Sequence, residues 1–179
     1  MIDTTNSETI KETCRAYQDS RRSTYEFRCL RYDAVIDAMI EMGLEPFDHV
    51  LDVGCGRGEM ETRLKERGFN GCLWEGIDGS IDGVNLNTWT PDERYDFIIA
   101  IEFLEHIHNP FMHLMMYRLF ANKGVVITTP NPRTVDVLAC DPTHVSVVTP
   151  DLLEFAKYEH SEVSLFAKPA DSLLGWYAK

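Results

Sequence analysis

Short apolar runs alternate with stretches of helical period along this 179-residue chain. Residues 1–45 read as helix. Thr5 and Glu8, and Ser23 and Glu26, have the spacing of capping boxes. Phe27, Leu30, Ala34, Ala38 and Met42 then repeat at helical period, and Gly43 stands where a left-handed residue ends a helix. His49–Val53 is short, apolar and bounded, as a buried parallel strand should be. Glu59–Arg67 reads as a helix ending at Gly68, with Phe69 folding back on Leu64. Cys72–Ile77 is a second strand, Val84–Leu86 a short third, and Tyr95–Ile101 a strongly buried fourth. Asn109-Pro110 opens a helix bearing Phe111, Leu114, Met115, Arg118 and Leu119. Gly124–Thr129 is the next strand. Residues 130–148 form a long loop, and Thr149-Pro150 opens a helix to about Tyr158. Glu162–Ala167 and Leu173–Ala178 close the chain as strands.

Strands alternating with helices predict a mostly parallel sheet covered on both faces. The last two strands are joined only by Lys168–Ser172, too few residues for a parallel crossover, so they must run antiparallel. The length suits one domain, residues 1–179, in which residues 1–45 cap a core spanning 46–179.

Composition narrows the function classes. The 17 Lys+Arg against 29 Asp+Glu leave a net charge of −12, which argues against nonspecific nucleic-acid binding. The charge is uneven. Arg15, Arg21, Arg22, Arg28 and Arg31 face only Asp19 and Glu26 over residues 15–31, making either a solvated helix face or an electropositive lip for an anion. No apolar run approaches the length of a membrane span, and the N-terminus has no signal-peptide pattern. Five cysteines without C-x-x-C spacing fit reduced thiols, and hence the cytoplasm.

The most informative stretch is Val50-Leu-Asp-Val-Gly-Cys-Gly-Arg-Gly58, a glycine-rich turn between a strand and a helix. Its spacing is G-x-G-x-G, not the G-x-G-x-x-G of a dinucleotide fold. Asp52 at the strand end would repel a pyrophosphate but suits an ammonium group. Asp78, at the end of the second strand, stands where a carboxylate accepts from ribose hydroxyls. A ligand with a ribose, an amino group and no phosphate points to S-adenosylmethionine.

VLDVGCGRG resembles motif I of the class I S-adenosylmethionine-dependent methyltransferases, GIDGS their second motif, and ERYDFIIAIEFLEHIHNP their fourth. The resemblance runs from about His49 to the C-terminus. It implies a three-layer α/β sandwich with a mostly parallel seven-stranded sheet of order 3-2-1-4-5-7-6, strand 7 antiparallel. It places Gly54, Cys55 and Gly56 against the methionine part, Asp52 near the amino group, Asp78 on the ribose and Glu102 at the end of strand 4, flanked by Gly58, Gly79 and Phe103. Members often carry an acidic residue after strand 3 to face the adenine amine. Here Asn85 would have to accept through its side-chain oxygen.

Glu102, Glu105 and His106 share one face if the chain turns helical after strand 4, and His144 lies in the neighbouring loop. Two carboxylates and two imidazoles suit a divalent cation, Mg²⁺ or a similar ion, which would lower the pKa of a substrate hydroxyl. The segment resembles the ubiquinone-biosynthesis O-methyltransferases. It also resembles the small-RNA 3′-terminal 2′-O-methyltransferases, where this set binds Mg²⁺ and precedes a turn like Thr128–Asn131. Alternatively Glu105 and His106 only order the loop, and His144 is a general base. His49, His108, His113 and His160 read as surface or helix-face residues. Trp74, Trp89 and Trp176 read as packing.

The expected activity is therefore transfer of a methyl group to a small-molecule or glycan-like acceptor, at oxygen. The alternatives are a metal-assisted RNA or nucleotide methyltransferase and, from another class, a non-catalytic S-adenosylmethionine-binding protein.

Overall fold

The computed structural model describes residues 24–166 and 168–179. The capping box at Thr5 and the arginines at 15, 21 and 22 lie outside the described residues. Helix α1 (Tyr25–Glu41) starts one residue later than expected. Thr24 is its N-cap, and its hydroxyl accepts from the Phe27 N–H. The buried stripe of α1 is also rotated from the expected one, comprising Arg31, Val35, Ile36, Ala38 and Met39, while Leu30 is exposed.

Strand β1 (His49–Val53) leads through the glycine turn into α2 (Glu59–Glu66). Helix α2 ends as its sequence requires. Gly68 takes φ +93°, its N–H donates to the Lys65 carbonyl at 3.0 Å, and Phe69 N–H reaches the Leu64 carbonyl at 2.9 Å. Strand β2 (Leu73–Ile77) and the short α3 (Gly79–Asp82) follow. Val84–Leu86 does not form the expected strand. Asn85 folds the chain into a turn instead, with its side-chain oxygen accepting from Asn87 N–H and its carbonyl from Thr88 and Trp89 N–H. His113 is a helix-face residue, and a buried one, with its ring between the Asn109 and Leu86 carbonyls, and so ties that turn to a helix.

Strand β3 (Tyr95–Ile101), a 3-10 turn at Leu104–His106, α4 (Pro110–Phe120), β4 (Ala121–Pro130), the short α5 (Val137–Cys140) and α6 (Pro150–Phe155) come next. Asn109 and Thr149 cap α4 and α6 through their side-chain oxygens, each with proline following. Strands β5 (Glu159–Val163) and β6 (Ser172–Ala178) finish the chain, β5 lying earlier than its apolar pattern suggested.

The sheet has six strands in the order β2-β1-β3-β4-β6-β5. The first four are parallel, and β6 is antiparallel to both neighbours. This is the expected order without its outermost strand, the one that Asn85 turns away. One face packs on α1 and α2 through Val35, Met39, Met60, Leu64, Phe97 and Val126. The other packs on α4 and α6 through Leu114, Tyr117, Leu153 and Ala156. Among the described residues no helix is long and apolar enough to cross a membrane.

Candidate active site

Parallel strands converge their carboxyl ends on one edge, where open α/β sheets bind ligands. There a pocket of about 170 Å³ is lined by Arg28, Arg31 and Tyr32 of α1, Asp52, the glycine turn, Glu59, Ile101 and Glu102. The turn is shaped by close approach. Gly54 has φ +78°, and a side chain there would collide with the Phe103 ring. Gly56 is exposed with open space before it, and its N–H donates to Asp78 Oδ2 at 3.0 Å. Gly58 lies against the Trp74 indole, and Gly79 against the Val84 carbonyl. Packing favours glycine at both positions, and at Gly58 a left-handed φ of +72° adds to it. Cys55 faces the pocket as a thiol that burial pushes up to about 12.

Asp52 is 2% exposed. Burial raises its pKa to about 7, and the Asp78 charge adds to the rise; the Trp74 indole opposes it. Asp78 caps α3, accepting from Ser80 N–H and hydroxyl at 2.8 and 2.6 Å, and so sits rigidly beside Gly56. Glu102 takes φ +51°, a conformation held by its N–H bonding to Thr128 at the neighbouring strand end. Burial pushes its pKa up to about 7 against the opposing Arg31 charge. Among the described residues Glu102 Oε1 is buried without a partner, as are Arg31 Nε and Nη2. Arg31 is 4% exposed and stacks on the Phe166 ring at 4.5 Å. Sequence reasoning left Arg31 as a surface residue or an anion contact; its place in the buried stripe of α1 is the signal that was missed. Asn85, expected near the adenine amine, uses its side-chain oxygen in its own turn.

Beyond the pocket, Val145 and Ser146 N–H donate to the Glu105 carbonyl, bringing the 141–146 segment over the 3-10 turn. Glu105, His106 and His144 meet there, with ligand atoms within 4.8 Å of one another. His144 Nδ1 lies 2.6 Å from the Val137 carbonyl and so carries the proton. The Thr143 hydroxyl donates to Asp141, so His106 Nδ1 donates to Thr143. Both Nε2 atoms keep free lone pairs, and that of His144 is 4.0 Å from Glu105 Oε1. Burial, then the Glu102 charge, hold the Glu105 carboxyl well above its usual range. Burial, then His144, lower His106. Glu102, expected as a fourth ligand, lines the pocket with Arg31 and is not part of this trio.

Residues 26–167 match the family model described as a methyltransferase domain. A ubiquinone biosynthesis O-methyltransferase of Rickettsia bellii is 29% identical over 103 residues of alignment, covering 48% of this chain and 42% of that enzyme. Its Rickettsia conorii counterpart is 29% identical over 100, covering 46% and 35%. The chain thus spans less than half the length of these curated relatives. Among solved structures, the plantazolicin methyltransferase BpumL in complex with SAH superposes with a TM-score of 0.68 at 16% identity, over 96% of this chain and 90% of that one. The magnesium protoporphyrin IX methyltransferase of Synechocystis PCC 6803, with bound SAH, gives 0.59 at 13%, over 97% and 95%. At such identities the likeness is one of fold. The family match and that fold together assign the chain to the methyltransferase-domain family.

Proposed function

We propose that the chain, working in the cytoplasm as one methyltransferase domain, moves a methyl group from S-adenosylmethionine to the oxygen of a small-molecule or glycan-like acceptor. The observation that carries this reading is the gathering of opposite charges in one buried pocket. Among the described residues Arg31 and Glu102 have unpartnered side-chain atoms there, and Asp52 adds a second buried carboxyl. That is the complement of an α-amino acid, the arm that S-adenosylmethionine presents. Asp52 and Glu102 would receive the ammonium group, Arg31 the carboxylate, and Asp78 the ribose. The curated relatives, named as O-methyltransferases, support an oxygen target. The net charge of −12 opposes an RNA acceptor.

The sulfonium already activates its methyl group, so the protein must align donor and acceptor and remove a proton. His144 Nε2, whose lone pair is fixed by the Val137 carbonyl at Nδ1, suits that task. The trio also fits a divalent cation. Two imidazoles are locked with Nε2 free by partners at Nδ1, and the buried Glu105 carboxyl lies beside them. Glu105, His106 and His144 would hold the ion, which when bound would acidify an acceptor hydroxyl.

A labelled-methyl transfer screen over hydroxylated small molecules, sugars and RNA tests the proposal. Transfer to a hydroxylated small molecule or sugar supports it. Donor binding without transfer to any acceptor favours a binding protein, and tight NAD binding without S-adenosylmethionine binding defeats the donor assignment. If a metal serves the trio, EDTA will abolish transfer while leaving donor affinity within about twofold, and Glu105→Gln will do the same. Transfer that survives EDTA but not His144→Ala assigns His144 as the base.

A further inference from the structure

We infer that Phe166 is a positioning residue for Arg31 and that the buried Asp171 carboxylate holds it in place, so that the connection between β5 and β6 sets how firmly the pocket grips the carboxylate of the donor's amino-acid arm. The inference rests on the donor reading above.

Arg31 reaches the pocket from α1, and its guanidinium must be aimed. Its Nε and Nη2 are buried without a partner among the described residues, so no hydrogen bond at either atom orients the plane. The Phe166 ring does so, with the guanidinium carbon 4.5 Å from its centroid. A ring against the face of a guanidinium fixes its plane and leaves the N–H edge free, whereas an acidic partner would occupy that edge. A free and fixed edge is what a carboxylate needs to bind through two parallel hydrogen bonds. Phe27, four residues before Arg31 on α1, packs on the same ring with 6.2 Å between centroids.

Phe166 is held in turn through its backbone. Its N–H donates to both oxygens of Asp171, at 3.3 and 3.1 Å. The N–H groups of Leu165 and Lys168 donate to the same carboxylate at 2.8 and 3.0 Å. Asp171 is 4% exposed, so these donors are shielded from competing water. The Asn131 N–H donates to the Asp171 carbonyl at 2.9 Å, and the Asn131 side-chain amide donates to the Ala170 carbonyl at 2.9 Å. Asn131 directly follows β4, whose Thr128 fixes the backbone of Glu102. Phe166 and Glu102 are thus referenced to the same strand. Closing the β5–β6 connection needs these backbone bonds but not an aromatic ring. The ring's stacking contacts are with Phe27 and Arg31, both on α1.

Calorimetry compares S-adenosylhomocysteine with 5′-deoxy-5′-methylthioadenosine, which keeps the adenosine and thioether and lacks the amino-acid arm. Phe166→Leu should weaken S-adenosylhomocysteine binding about tenfold and change methylthioadenosine binding by less than about twofold. Phe166→Tyr, which keeps the ring, should recover most of that loss. In an Arg31→Ala background Phe166→Leu should cost nothing further. Equal loss for both ligands, no loss, or an undiminished loss without Arg31 overturns the inference. Asp171→Asn should show the same arm-selective loss, and wild-type selectivity in that variant overturns the part given to Asp171. A measurement on the wild-type protein avoids any folding defect. NMR should show NOEs between the Arg31 side chain and the Phe166 ring, and their absence overturns the inference. Wild type that binds both ligands equally also overturns it. Failure of wild type to bind either ligand defeats the donor assignment instead, and the NOEs still decide whether Phe166 seats Arg31.

Discussion

Arg31 and Asp52 owe their character to burial. A guanidinium seated on Phe166, with two nitrogens unpartnered among the described residues, is costly to keep unless a ligand completes it. Arg31→Ala should weaken S-adenosylmethionine binding by about 10–100-fold, the worth of a charge-assisted hydrogen bond. Calorimetry showing unchanged affinity would remove Arg31 from the site. Asp52 makes a prediction of opposite sign to ordinary carboxylates. Its pKa is raised on folding, so the folded protein holds a proton that the unfolded chain has released. Its contribution is full below about pH 4 and fades as pH rises through about 7. The ligand-free protein should therefore lose stability between about pH 4 and 8, by at most about 4 kcal/mol from this group. Donor binding should release protons near neutrality, detectable as a buffer-dependent heat. At this scale Asp52, Asp78 and the glycine turn were legible, because their spacing is chemically distinctive. Arg31 was legible only as one of two alternatives, a solvated arginine or an anion contact, because only the fold shows which helix face it occupies.

Helix α1 is held on α2 by charge. Arg28 pairs with Glu59, and Asp33 accepts from both Arg63 and Arg67 at 2.7–2.9 Å. The Arg63 and Arg67 partners lower the Asp33 pKa, so its contribution is present above about pH 4 and lost below. Asp33→Ala should cost about 1 kcal/mol, since these pairs are partly exposed, and lower Tm by about 2–4 °C. Because α1 carries Arg31, the same variant should also weaken donor binding, more so at low salt. A Tm shift without any change in affinity would show that α1 stays docked without the network. The helix ends at Gly43 and Gly68 and the antiparallel last strand were readable, since capping and connection length are local rules. The apolar stripe of α1 misled because a buried arginine interrupts it where the pocket needs a cation. Val84–Leu86 misled because Asn85 can satisfy its own backbone, and three apolar-looking residues cannot outweigh that.

At the scale of the molecule, the acidity of the chain is partly concentrated in one place. Asp52, Asp78, Glu102 and Glu105 all gather at the carboxyl edge of the sheet. The sheet order followed from alternation and one short connection, whereas the trio of Glu105, His106 and His144 depended on a loop path that no periodicity encodes. Hydrogen bonds across the loop, from Val145 and Ser146 N–H to the Glu105 carbonyl and between Thr143 and His106, fix it. The stacking of Arg31 on Phe166 reaches further than the pocket. It joins the first described helix to the connection before β6, so the pocket's buried cation is seated by segments far apart in the sequence. Contacts so distant in sequence form late, after the intervening loops have closed. If Arg31 anchors the donor as proposed, the site is complete only once β5 and β6 have paired, and S-adenosylmethionine should slow unfolding of the protein without speeding its folding.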